Sequence, residues 1–236
     1  MAQQAPAGAS LPVPRRWRAR LASVEAAAIA GIICALGWLI GLGILLASPI
    51  AGAGDAEIRR FYGGPDVGRD AVVALQLIVF STIAFMWFVG VVRSRLGERE
   101  PRLVGTVFLG GAIILAGLML VGAAVLAAPA VLVEAGGTPD PGAASISRTI
   151  AVTVLAVFTP RVATLVMFST AALARGTRAL PGWLIVLTYV VGTIEFVNVT
   201  FSTPAVYVFP AWIALVSVVL LVRPRRQPGP ANAAGG

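Results

Sequence analysis

Histidine and lysine are absent from this chain, and cysteine occurs once, as Cys34. These absences exclude a good deal of chemistry. Without histidine there is no haem held by paired imidazoles, no histidine-ligated zinc and no serine–histidine or cysteine–histidine nucleophile. One cysteine excludes an intramolecular disulfide, and its place in the middle of an apolar run suits a small packing residue. Charge is scarce too: charged residues make up 12% of the chain, against about 25% in soluble domains. No cofactor and no metal site is expected.

Hydrocarbon fills the space that charge leaves. Hydrophobic residues reach 58% and the mean hydropathy is +0.91, beyond the roughly 45–50% apolar content of soluble domains. Six stretches are long and apolar enough to cross a bilayer, for which about 20 residues suffice. They run over approximately 21–48, 71–92, 103–131, 147–174, 181–200 and 204–222. The small-x-small triplet Ala51-Gly52-Ala53 resembles a signal-peptidase site. The run before it is too long for a signal peptide, however, so it reads as a retained helix. The fold class is therefore all-α, a polytopic membrane bundle of six transmembrane helices. Residues 1–20 read as a disordered basic tail, 21–222 as the bundle and 223–236 as a second disordered tail, because the tails are too rich in Ala, Pro and Gly to bury a core.

Arginine placement orients the bundle. Thirteen of the 18 arginines lie before the first span, in the second and fourth links, or after the last span. Four, Arg59, Arg60, Arg69 and Arg148, fall on the opposite side, where six of the acids also lie. By the positive-inside rule both termini are cytoplasmic. The net charge of +8 is then explained by topology, and no nucleic acid is expected as a partner. With Ala, Gly and Val in excess and arginine the only strong base, the composition suggests a GC-rich bacterial genome. The expected location is the bacterial cell (plasma) membrane.

After span one, Asp55-Ala-Glu-Ile-Arg-Arg-Phe-Tyr62 has the spacing of two amphipathic turns. Ile58, Phe61 and Tyr62 share one face, and Gly63-Gly64-Pro65 stops the helix. Together with the span that ends Trp87-Phe-Val-Gly-Val-Val-Arg-Ser-Arg95-Leu96, this stretch resembles a broad group of uncharacterised six-span integral membrane proteins of actinobacteria. The resemblance implies the architecture and contributes no catalytic residues.

Two ionisable side chains, Arg161 and Glu195, lie deep in spans. Each is about 20 Å from the cytoplasmic link that joins spans four and five, at 1.5 Å per residue. Charges at that depth are costly, so the two are expected to face each other as an ion pair. Pro160 should kink span four beside Arg161. Thr188, Gly192, Glu195 and Asn198 recur at helical spacing on span five, with Thr164 on span four and Gln76 on span two as further members of the polar cluster. Such a cluster is a structural clamp, a ligand, ion or proton site, or a group facing a water-filled vestibule. Gly37-Trp-Leu-Ile-Gly41 and the glycines of span three mark close helix approach, within the monomer or in a homodimer.

No nucleophile–base pair stands out, so the chain reads as non-enzymatic, a structural, accessory or complex subunit. The lipid bilayer is its first partner, and a membrane-protein partner or second copy its next. The alternative is a transporter of a small solute, ion or proton through the Arg161–Glu195 layer. The topology is tested by reporter fusions, which should give a cytoplasmic signal after Arg99 and an external one after Asp140. The reverse pattern would overturn it.

Overall fold

The computed structural model describes residues 24–50, 52–96, 102–177, 180–198 and 203–222. The two tails, the middle of the second link (97–101) and the residues between spans five and six (199–202) lie outside them. In chain order the elements are α1 (Val24–Leu46), α2 (Asp55–Tyr62), α3 (Val67–Leu96) and α4 (Arg102–Glu134). Next come α5 (Pro141–Thr153), a π-helical turn (Val154–Phe158) and α6 (Thr159–Thr177), which form one continuous rod. The short α7 (Gly182–Val197) and α8 (Ala205–Val222) complete the set, and no strand occurs among the described residues.

Five helical runs are long and apolar enough to cross a membrane: Glu25–Leu46, Val67–Arg93, Leu103–Glu134, Pro141–Gly176 and Ala205–Val222. The fifth expected span, α7, is apolar but has 16 residues. That makes it about 24 Å long against a hydrocarbon core of about 30 Å. Six spans of equal standing were expected; five full-length helices and a short one are found.

Other boundaries moved outward. The fourth span starts at Pro141 rather than Ser147, because Asp140 is an N-cap whose carboxylate accepts from the Ala143 amide at 2.9 Å. Proline in the first turn costs no hydrogen bond there. Likewise α3 begins at Val67 rather than Ala71. The amphipathic segment forms a helix with the expected bounds, Asp55–Tyr62, closed at Gly63. Ile58 and Tyr62 bury against the bundle, while Asp55 and Arg59 pair at 3.3 Å on the exposed side.

Helix α1 packs chiefly on α3 and α8, α3 on α4, α4 on α5 and α6, and α6 on α7. Although consecutive, α7 and α8 touch each other little. Where α1 meets α3 and α8, Trp38 lies tilted against Phe85 and Phe209 at ring separations of 5.1 and 6.2 Å, and Phe209 stacks on Trp212 at 5.6 Å. Each indole finds a threonine on a neighbouring helix. Trp38 Nε1 donates to Thr82 Oγ1 (3.2 Å) and Trp212 Nε1 to Thr188 Oγ1 (2.9 Å). Both hydroxyls then donate to their own helix four residues back, at 2.7 Å, so no polar atom in either chain is stranded.

The Gly37–Gly41 pair works inside the monomer. A Cβ on Gly37 would lie 1.8 Å from Ser81 Oγ and 3.3 Å from the Leu77 carbonyl, and one on Gly41 would lie 2.7 Å from Ile78 Cγ1. By contrast Gly110 and Gly117 of α4 have nothing within 4 Å of such a position. The outer faces are apolar: on α1, Ile29, Ile33, Leu36 and Ile40 are exposed at helical spacing. This stripe is what a lipid-facing helix presents.

Gly37→Val should therefore lower the thermal unfolding temperature in detergent, by the equivalent of about 1–3 kcal/mol of overpacking. Gly110→Ala should leave it unchanged or raise it slightly. Equal effects would remove glycine-mediated α1–α3 contact as the cause.

Candidate functional site

Two polar sites lie within the bundle. The first is the layer foreseen around Arg161, and its wiring differs from expectation. Arg161 Nη1 donates to the Val157 carbonyl one turn back, and Nη2 donates to the Asn198 carbonyl at 2.8 Å. No Arg161 nitrogen lies within 4.0 Å of a Glu195 carboxylate oxygen, although the two charges are near enough to interact through space. The expected direct ion pair is thus replaced by arginine–carbonyl bonds. Asn198 is the C-cap of α7, so Arg161 satisfies the end of that short helix. A cation there also meets the negative pole of the helix dipole. The partner of Arg161 on α7 is a backbone carbonyl instead of a carboxylate.

Proline 160 acts through the turn before it. The chain takes one π-helical turn at Val154–Phe158, where the Thr159 amide and hydroxyl both donate to the Val154 carbonyl. A wider turn spares the helix the clash and the missing donor that proline brings. Below it, Thr164 shares its hydroxyl proton between the Pro160 carbonyl (3.0 Å) and the Gly192 carbonyl of α7 (3.2 Å). Gly192 permits that approach, since a Cβ there would sit 2.6 Å from Phe168.

Thr188, Gly192 and Glu195 do line the buried face of α7. Glu195 is 7% exposed, and its Oε2 has no hydrogen-bond partner. It borders a cavity of about 10 Å³, walled mainly by Leu155, Thr159, Pro160 and Phe209. That is room for roughly one water molecule. Gln76 does not join the layer. It lies on the exposed side of α3, whose neighbours are α1 and α4.

The second site was missed by sequence reasoning. Arg148, assigned to the outer end of span four, is 6% exposed in the second turn of α5. Its Nη1 donates to Ser48 Oγ (2.5 Å) and Nη2 to the Leu46 carbonyl (3.3 Å) at the end of α1. Tyr62 of α2 and Tyr207 of α8 lie near it, and among the described residues no carboxylate oxygen comes within 4.0 Å of it. Ser48 Oγ in turn donates to the Leu45 carbonyl at 3.0 Å, and the Tyr62 hydroxyl lies near it. Burial pushes the Tyr62 phenol up from its ordinary range, against the pull of the Arg148 cation and the Ser48 hydroxyl. Tyr62 therefore stays neutral at physiological pH. Four elements meet at Arg148, and the signal available in sequence was Asp140-Pro141, which moves the helix start upstream and draws this arginine inside.

Among the described residues no group of three or more His, Cys, Asp or Glu is placed to hold a metal. No protein-family model, curated protein or solved structure matches the chain.

Arg161→Ala removes the guanidinium donor to the Asn198 carbonyl and should cost about 1–3 kcal/mol, seen as a lower thermal unfolding temperature. Glu195→Met removes an unpartnered oxygen and should leave that temperature unchanged or higher. If Glu195→Met destabilised as much as Arg161→Ala, the carboxylate would be the true partner of Arg161.

Proposed function

We propose that this chain is a six-span protein of the bacterial plasma membrane with both termini cytoplasmic, acting as a non-enzymatic structural or accessory subunit. Membership of the actinobacterial six-span group belongs to the same reading. Its support is the α2 helix of matching bounds and the order of apolar helices that follows. The short α7 counts as the fifth span, since Arg161 caps its end within the bundle.

One observation carries the functional part. Three polar side chains of this layer are committed to helix backbones: Arg161 to Val157 and Asn198, Thr164 to Gly192, and Thr188 to Leu184. Beside them the cavity is about 10 Å³. Side chains spent on joining helices, around a space for roughly one water, suit a clamp better than a conduction path. A partner membrane protein or a second copy would use the apolar outer faces. The absence of histidine and of a nucleophile–base pair supports a non-enzymatic role.

The transporter reading keeps one favouring observation. Glu195 Oε2 is buried and unpartnered beside a π-helical turn, and intramembrane carboxylates of that kind serve in ion and proton relays. Proteoliposomes separate the two readings. Vesicles carrying the full chain should show proton, sodium, potassium and chloride fluxes equal to empty vesicles. A flux above that level, lost in Glu195→Met, would overturn the structural reading.

A further inference from the structure

A groove of about 480 Å³ opens where α6 ends and α7 begins. That volume falls among small-ligand sites, which run about 300–1,000 Å³. Arg175, in the last turn of α6, lines the groove directly, together with Leu180 of the link. From α7 come Gly182, Ile185, Val186 and Tyr189, whose helical spacing puts them on one face. The Tyr189 ring packs on Phe168 of α6 at 5.3 Å, which fixes the end of the groove away from the link. Apart from the guanidinium and the tyrosine hydroxyl, the lining side chains are apolar.

Charge in the groove has one sign. Arg175 is exposed, and among the described residues no carboxylate oxygen comes within 4.0 Å of it. The chain has no Asp or Glu between Asp140 and Glu195, so neither α6 nor the first half of α7 supplies one. Glu195 itself lies about 20 Å along the helix from Gly182, at 1.5 Å per residue. Trp183, in the first turn of α7, is exposed, as an indole at headgroup level is. Val186, on the groove face one turn deeper, is exposed too, so the groove is open to the side along the helix. A cation with no acid near it on either helix thus stands at the headgroup end of an apolar groove.

We propose that this groove seats an anionic phospholipid, with its phosphate on Arg175 and an acyl chain along the Ile185–Tyr189 face. A guanidinium presents its N–H donors in a planar fork that matches phosphate oxygens, and the apolar walls suit the chain. Charge complementarity selects among amphiphiles. A zwitterionic lipid brings an ammonium for which the groove has no carboxylate, and an alkylamine would meet the arginine with a like charge. Free phosphate would leave the apolar face bare. Basic pockets between helices near the membrane surface are a known kind of seat for acidic lipid heads. Such binding needs the helices to lie in a bilayer, and it is independent of which side is cytoplasmic and of any clamp at Arg161.

The test uses the full chain in detergent and native mass spectrometry, with phosphatidylglycerol and phosphatidylethanolamine of the same acyl chains as probes. Phosphatidylglycerol should be retained about two- to five-fold more, the range of one partly exposed ion pair. Arg175 is exposed, so Arg175→Gln should fold and bring that ratio down toward one, while Arg175→Lys keeps most of it. A Cβ on Gly182 would meet nothing within 4 Å. Gly182→Leu should therefore keep the helical circular dichroism and lower the ratio by filling the groove. Arg60→Gln, on the exposed side of α2, is the control and should leave the ratio unchanged. Equal or stronger retention of phosphatidylethanolamine would overturn the proposal. So would a ratio that survives Arg175→Gln or Gly182→Leu, one that falls as far with Arg60→Gln, or displacement of the lipid by equimolar laurate or inorganic phosphate.

Discussion

Inside a bilayer no water is present to satisfy a helix end, and an unpaired carbonyl there costs several kcal/mol. The bond from Arg161 to the Asn198 carbonyl answers that constraint in this protein. It allows α7 to stop after 16 residues while the α5–α6 rod beside it continues. The polar layer and the small cavity at Glu195 lie beside that early stop. A charged residue in mid-membrane is costly, and here its charge is spent on a helix dipole and two carbonyls.

Arg148 repeats the device at the other polar site. Its guanidinium bonds the Leu46 carbonyl at the end of α1, as Arg161 bonds the end of α7. In both cases the arginine belongs to the α5–α6 rod and the terminus to a different helix. The rod thus acts as a post from which two other helices are capped. Trp38 and Trp212 do a related job, each reaching a threonine on another helix. Because lipid tails are as apolar as leucine, burial alone does not draw membrane helices together, and close packing with a few polar ties must do so.

The π-helical turn sits between the two arginines along the rod. By inserting an extra residue it rotates the helix below it relative to the helix above, and so sets the faces that Arg148 and Arg161 present. Proline 160 supplies the local cause, since a regular α-turn there would leave a carbonyl without a donor. Packing and backbone geometry are coupled at this point, and the same turn walls the cavity beside Glu195.

Much of the fold was legible from residue order. Apolar runs fix where helices must lie, since only a helix satisfies its own backbone in lipid. The amphipathic spacing of Ile58, Phe61 and Tyr62 marked α2 to its ends. The stripe of Thr188, Gly192 and Glu195 was readable because helical periodicity is a property of sequence. Partners were not readable in this way. That Arg161 meets a backbone carbonyl, that Arg148 is buried among α1, α2 and α8, and that Gln76 faces outward depend on how helices rotate against one another. That rotation is set by glycine contacts such as Gly37 on Ser81 and by the π-helical turn, between residues distant in the chain. Sequence alone determined which segments form long apolar helices; only tertiary packing decided which polar group answers which, because every backbone carbonyl is an acceptor and composition does not say which one lies within reach.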